Sequence, residues 1–489
     1  MRNIINKPGF YLSLSILGFV FTFSCHANEI PSTSELWTII QKQQNQIKQQ
    51  NKQIEAQNQA IENLKERFFN QNEQIDSRTQ KAALSQDTSI QSAHQKKPEK
   101  ETSPYSFKGY AVANYFNYDW ETHPEKRDEA DLERLVLEGK YQFNEQWSVH
   151  AEVEYEHGGT GSTLEFDVFE EFGEFEQEIE KGGEIVLEEL FVQYEYQPWI
   201  GLRVGELPVP VGLINKRHRP SHYYTAERSE AESSMVPVAW HELGIELRGK
   251  YQGFFYRGQV ITGLDSTGFS SANWVKRGFQ KRFERKNADN LAYVASLDYD
   301  FSGLGVDFLK GVEIGGSFYW GNTSGNRPKQ DLSEDAEVMI LGLHGLYESG
   351  PWTLRGATLY GHLSNADLVS AANRRLSNNL NVKRSPVAEE ALAWYVEAGV
   401  DLFQFIPNKS AILGHSFDWF VRYDNYDTME KTAGLIFDNP RWERETWTTG
   451  FNYSPIKGIM LKGQYAHRNI NIPTNNDENT YSLGIATEF

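Results

Sequence analysis

Lys216, Arg217, Arg219 and Arg228, with His218 and His222 among them, fall within one short segment that also carries Glu227, Glu230 and Glu232. Bases at this density suit the binding and guiding of small anions at a narrow, partly desolvated point. The competing reading is internal pairing with the neighbouring glutamates, which would pin the segment to its surroundings; both can hold together. A second set of bases, Arg134, Arg203, Arg248, Arg257, Arg355, Arg422 and Lys462, sits in segments that alternate polar and apolar residues. Facing one interior, they would form successive weak anion sites or pair across strands with acids such as Glu138, Glu152, Glu242 and Glu246. A basic stretch from Lys276-Arg277 to Arg285-Lys286 places Arg277, Lys281 and Arg285 on one face if helical, as an external basic surface. In the acidic stretch 165–184, Leu164, Val168, Phe172, Phe175 and Ile179 form a helical apolar stripe with glutamates on the other faces. The chain has no P-loop, HExxH or GxSxG pattern, and its carboxylates lack EF-hand spacing. The expectation is therefore no enzyme, no cofactor and no metal.

These residues need elements to position them. At the N-terminus, Arg2 and Lys7 precede an apolar run from Leu12 to Phe23, and Cys25-His26-Ala27 ends on a small residue. This reads as a secretory signal peptide over 1–27. Cys25 is the only cysteine, so the mature chain is expected to have neither disulfides nor thiolate metal sites. The net charge of −19 argues against nucleic acid as a partner.

Within 28–77, Ile40, Ile47, Ile54, Ile61, Phe68 and Ile75 recur every seven residues, the period of a left-handed coiled coil. The other seam position is polar: Gln43, Gln50, Gln57, Leu64 and Gln71 in one register, or Gln44, Asn51, Asn58, Lys65 and Asn72 in the other. A single helix cannot bury such a seam, so a parallel trimer is expected, as a rod of about 60 Å for about 40 residues. The alternative is a Gln/Asn-rich tether. Residues 78–104, rich in Ser, Gln, Lys and Thr with Pro98 and Pro104, read as a flexible linker.

From residue 105 onward, period-two segments of about ten residues recur between turn residues. Sixteen strands are expected, near 105–118, 131–142, 146–157, 184–196, 199–207, 238–250, 253–263, 289–301, 309–320, 335–348, 351–362, 388–401, 415–427, 443–453, 456–468 and 478–489. Short connections such as Asn144-Glu145 and Ser454-Pro455 alternate with long ones such as 158–183, 208–237 and 363–387. The fold class is thus all-β: a 16-stranded antiparallel transmembrane β-barrel over 105–489, with short periplasmic turns and an N-terminal coiled coil in the periplasm. The alternation assigns faces. Leu243, Ile245 and Leu247 are expected outward and Glu242, Glu246 and Arg248 inward, lining a wet, charged lumen.

One stretch is more specific. It runs Arg203-Val-Gly205-Glu-Leu-Pro208-Val-Pro210-Val-Gly212, then Arg219-Pro220, Glu227-Arg228-Ser229, Pro237 and Trp240-His-Glu242-Leu-Gly244. It resembles the phosphate-selective porin O and P family, and the final strand ending in Phe489 resembles the terminal signal of bacterial outer-membrane proteins. The resemblance implies a trimeric sixteen-stranded barrel whose connection 208–237 folds inward and narrows the pore. The family's selectivity rests on pore-lining arginines and lysines, which do not map residue by residue onto this acidic chain. The expected function is passive diffusion of small hydrophilic solutes, with an anion or phosphate preference. The alternatives are a general, sugar- or cation-preferring porin, or a tether between outer membrane and cell wall. Expected partners are two further copies of the chain, outer-membrane lipid and lipopolysaccharide, peptidoglycan through the coiled coil, and small anions.

Overall fold

In the computed structural model the chain divides into two units, Met1–Lys100 and Glu101–Phe489. The structure describes residues 103–489 except 160–164, 168–175, 179–182, 281–284, 377–383 and 408–412, and Lys48 of the first unit. The signal segment, the coiled coil and nearly all of the linker therefore lie outside the described residues.

Sixteen strands close into one barrel: β1 (Tyr105–Trp120), β2 (Glu129–Gln142), β3 (Trp147–Glu156), β6 (Glu184–Gln197), β7 (Ile200–Pro208), β8 (His241–Tyr251), β9 (Phe254–Thr262), β10 (Leu291–Asp300), β11 (Val312–Asn322), β12 (Glu337–Ser349), β13 (Trp352–Leu363), β14 (Glu390–Asp401), β15 (Ser416–Lys431), β16 (Glu443–Ile456), β17 (Ile459–Ile470) and β18 (Asp477–Glu488). Each pairs antiparallel with its neighbours, and β18 returns to β1 with Tyr110 opposite Glu488 and Trp120 opposite Glu478. The terminal residue completes the seam: Phe489 and Gly109 exchange both backbone hydrogen bonds at 2.9 Å. A side chain at 109 would strike the Val136 carbonyl oxygen at 2.6 Å and the Phe489 ring at 2.7 Å, which accounts for glycine there. Closure leaves no strand edge unpaired. Among the described residues no helix is long and apolar enough to cross a membrane.

The strands follow the expected period-two segments, with ends shifted by a few residues; the thirteenth, for example, runs on to Lys431. The acidic connection departs from expectation. Its described residues include a short antiparallel pair, β4 (Glu165–Asp167) and β5 (Glu176–Glu178), where a helix was expected, while the stripe residues Leu164, Val168, Phe172, Phe175 and Ile179 lie outside the described residues. Glu165-Phe166-Asp167 also fits a strand period.

The outer surface is an apolar belt. Leu243, Ile245 and Leu247 are about half exposed, while Glu242 and Glu246 of the same strand are fully buried inside. Aromatic rings pair across strands at both rims of the belt. Tyr105–Tyr141, Trp147–Tyr194 and Phe254–Tyr299 lie toward the short turns, with centroids 4.9, 4.7 and 4.5 Å apart. Trp394–Tyr423, Tyr423–Trp447 and Tyr293–Trp320 lie toward the long connections. Girdles flanking an apolar band are the pattern of a barrel sitting in lipid.

The interior is not charged throughout, contrary to the sequence-based expectation. Inward residues of β9–β14 are apolar toward the long-connection end: Ile261, Ala292, Val294, Tyr319, Val338, Ile340, Leu359, Ala391 and Ala393. Val209, Val211, Leu213, Ala231, Met235, Val236 and Trp240 of the 208–240 connection pack on them as one hydrophobic core. Charge on this side is confined to a tier nearer the short turns, including Asp298, His344, Arg355 and Glu397. The opposite wall, β15–β18 and β1–β6, keeps inward charges such as Arg422, Lys462, Glu138 and Glu152 around a small apolar cluster of Tyr110, Val112, Val136, Met460 and Ala486.

Leu343, outward at the middle of β12 and 66% exposed, tests the belt directly. Leu343→Arg is expected to cost about 2–4 kcal/mol of folding stability in lipid vesicles. Thr480→Arg, on the open side of the interior, should cost far less. Denaturant titration read by heat-modifiable gel mobility measures both.

Candidate functional site: the inward-folded loop and its vestibule

The connection between β7 and β8 leaves and re-enters the wall at one point, since Val209 N–H donates to the Trp240 carbonyl oxygen at 2.8 Å. Asn215 holds its two limbs together. Its amide donates to the carbonyls of Val211 (3.2 Å) and Pro237 (3.0 Å), and its oxygen accepts from Trp240 N–H at 3.2 Å. A short helix, α1 (Glu230–Met235), starts at Ser229, whose hydroxyl donates to Asp424 of β15 at 2.6 Å. Asp424 also accepts from Ala231 N–H at 3.2 Å, so a wall carboxylate caps the helix start. Inside the loop, Glu232 accepts from Leu213 N–H (2.9 Å) and Ile214 N–H (2.7 Å).

Three of the expected bases are tied to separate parts of the wall. Lys216 meets Asp298 of β10 at 2.7 Å, and Arg217 reaches Glu313 and Glu348 at 3.3 and 3.9 Å. Arg219 pairs with Glu138 of β2. The wall also reaches back. Lys462 of β17, buried, donates to the carbonyls of Pro220, Tyr223 and Thr225 at 2.8, 2.9 and 3.0 Å and lies 4.2 Å from the centre of the Tyr223 ring. Arg422 bonds Asp424 at 2.6 Å and the Thr225 hydroxyl at 2.5 Å, and Arg355 donates to the His222 carbonyl. Pairing thus engages most of these bases, but with wall acids and backbone carbonyls instead of Glu227, Glu230 and Glu232, the partners expected from the sequence.

Arg228 differs. Its guanidinium donates to the His218 carbonyl at 3.4 Å, and among the described residues no carboxylate lies within 4.0 Å of it. It lines a cavity of about 530 Å³ on the long-connection side of the loop. This vestibule is mostly acidic on one wall (Glu133, Glu154, Glu156 and Glu188), where Arg134 pairs with Glu133 and Glu154, and mostly basic on the other (Arg422, Arg444 and Arg468), where Arg468 pairs with Glu478; Glu227 and Glu230 also line it. Burial pushes the Glu230 carboxyl up, but the Arg468 and Arg444 charges outweigh it and hold it down at about 2.

The remaining expected residues lie elsewhere. Arg248 and Arg257 face each other across β8 and β9, stacked on Phe255 at 5.2 and 4.5 Å. Arg248 shares Glu246 with Arg203, at 3.9 Å from Arg248 and 3.6 Å from Arg203. Glu242 is buried beneath the external connection, where Lys286 reaches it at 3.1 Å and Glu206 at 2.5 Å. Lys286 therefore turns inward instead of joining an external basic face. Lys276–Gly278 forms a single 3₁₀ turn, and 281–284 lie outside the described residues. Arg444 and Arg468 were not singled out from sequence, although Arg468 shares the parity of Lys462, a signal that was there to use.

No protein-family model matches the chain. An uncharacterized protein of Aquifex aeolicus (strain VF5) is 23% identical over 379 residues, 76% of this chain and 78% of that protein. Among solved structures, the chain is similar to Salmonella typhi OmpF in complex with daunomycin (12% identity, TM-score 0.47, 79% of this chain and 97% of that one). It is also similar to the outer membrane channel DcaP of Acinetobacter baumannii (11%, 0.47, 79% and 97%). A third is an anion-selective porin from Comamonas acidovorans (11%, 0.46, 79% and 99%).

Burial pushes the Glu232 carboxyl up from 4.5 to about 7, despite its two backbone donors. The docked loop thus holds this proton more tightly than a free glutamate does. Docking is expected to be strongest below about pH 4.5 and to weaken as pH rises to about 7, with no further change above. In planar bilayers, open-channel current noise should rise across that window, and Glu232→Gln should flatten the dependence.

Proposed function

We propose that this chain is an outer-membrane porin that passes small hydrophilic solutes by passive diffusion, with a preference for anions. The observation that carries this reading is the divided interior. One half is packed shut by the loop, and the other is a charged vestibule with Arg228 in its lining. Acids opposite arginines set up a field across the path, and a solute crossing it exchanges water for weak, successive charged contacts. Arg228, with no carboxylate within 4.0 Å among the described residues, brings positive charge to the vestibule lining, which favours anions. The apolar belt and the two aromatic girdles support an outer-membrane location in contact with lipid and lipopolysaccharide. The resemblance of residues 203–250 to the phosphate-selective porin O and P family supports assembly as a trimer. The heptad segment adds to that case and gives the trimer a periplasmic reach toward peptidoglycan. Phosphate itself is the finer expectation, because the family's pore-lining bases do not map onto this chain.

Purified full-length protein in a planar bilayer under a potassium chloride gradient tests the proposal. The expected result is steady conductance with a reversal potential on the anion side, shifted toward the cation side by Arg228→Ala. A cation-side potential in the wild type, unmoved by Arg228→Ala, would instead favour a general or cation-preferring porin governed by the acidic wall. No conductance at all would favour the tether.

A further inference from the structure

Inward residues of β7–β9 beside the short turn at Gln252-Gly253 gather four cations around one buried carboxylate, Glu246. Arg248 and Arg257 stand directly opposite each other, and Lys250 stands opposite Phe255. All three gather on the Phe255 ring, the Arg257, Arg248 and Lys250 charges lying 4.5, 5.2 and 5.2 Å from its centre. Arg203 joins them through Glu246, whose Oε1 is 3.6 Å from Arg203 and 3.9 Å from Arg248. Both contacts are longer than a hydrogen bond, and this oxygen accepts none. Arg203 donates to Gln193 Oε1 at 2.8 Å, but the side chains of Arg248, Lys250 and Arg257 have no protein acceptor among the described residues. Arg257 and Lys250 also have no carboxylate within 4.0 Å among those residues, and Glu189 and Glu195 act on Arg248 only from farther off. Like charges opposed on neighbouring strands destabilise a sheet, so Arg248 and Arg257 call for more counter-charge than Glu246 supplies.

We propose that Arg203, Arg248, Lys250 and Arg257 form a binding site for a small oxyanion carrying two or more negative charges, at the short-turn mouth of the lumen. The cluster is open to solvent: the Arg203 and Arg248 side chains are 16% and 22% exposed, and Lys250 is exposed. A guanidinium presents a planar fork that matches two oxygens of an oxyanion, and here such forks lack acceptors of their own. Four cations against one carboxylate leave an excess of three, so an anion of charge two is attracted by the cluster more strongly than chloride is. Other lumen arginines contrast with these. Arg422 meets Asp424 at 2.6 Å and Arg355 meets Glu397 at 2.7 Å. The vestibule lies on the long-connection side of the loop, so the cluster is a second contact for an anion on its way through. That role in passage rests on the anion-preferring reading above; the binding itself does not.

Calorimetric titration of the purified full-length protein in detergent with sodium sulfate at constant ionic strength tests this, and it reads binding whether or not the barrel conducts. The expected result is one saturable sulfate site per chain, weakened about tenfold or more by Arg257→Ala and unchanged in Arg285→Ala, on a long connection. Heat-modifiable gel mobility establishes that each variant is folded. Should Arg257→Ala not fold, Lys250→Ala, which alters only an exposed side chain at the mouth, decides by a loss of about threefold or more. Absence of saturable binding, wild-type affinity in the deciding variant, or an equal loss in Arg285→Ala would each overturn the proposal. A cation-side reversal potential combined with sulfate binding lost in Arg257→Ala would overturn the anion-preferring reading and still support this site.

Discussion

Everything in this molecule depends on the closure of a sheet whose two faces meet different surroundings. Because every backbone group must find a partner within the sheet, β18 has to return to β1, and the seam ends on the mutual hydrogen bonds of Phe489 and Gly109. Once the sheet is closed, the period of two sends each second residue outward to the apolar belt and the rest into an interior that must be filled by side chains, by another segment or by water. The length of the 208–240 connection decides which. It folds inside and takes the apolar tier of β9–β14 as its own core.

That docking gives the charged residues their division of labour. Hydrophobic packing of Val209, Val211, Leu213, Met235 and Trp240 on one wall fixes the loop's position. Its polar edge then meets the opposite wall through Arg219, Glu230 and the carbonyls that Lys462 caps. Buried pairs such as Lys216–Asp298 add little net stability once desolvation is counted, but breaking one leaves an unpaired charge, so they fix where the loop sits more than how firmly. Arg228, Arg444 and Arg468 are left lining the vestibule, beside a loop that the apolar core holds in place.

The barrel was legible because two independent signals agree: alternation within segments, and short connections alternating with long ones. The outward set Leu243, Ile245 and Leu247 lies where parity placed it. Parity assigns a face but not what lies against it, so the apolar inward residues of β9–β14 gave no hint that a loop would cover them. Pairing partners were harder still. Lys286 looked external by its place in a long connection, yet it bends back to Glu206 and Glu242, a contact that depends on the path of the whole loop. In the acidic connection the glutamates and apolar residues fit two periods at once, and β4 pairs with β5 where a helix was expected.

The central claim is that the loop seals one half of the interior and leaves the other open to water. It is tested most directly by thiol accessibility in folded protein carrying Cys25→Ser. Single cysteines would be placed at Leu359, fully buried under the loop, and at Thr480, on the vestibule wall. A small charged methanethiosulfonate reagent should modify Thr480→Cys rapidly and leave Leu359→Cys unmodified. Equal modification at both positions would contradict the account, because the loop would not then be packed against the β9–β14 wall.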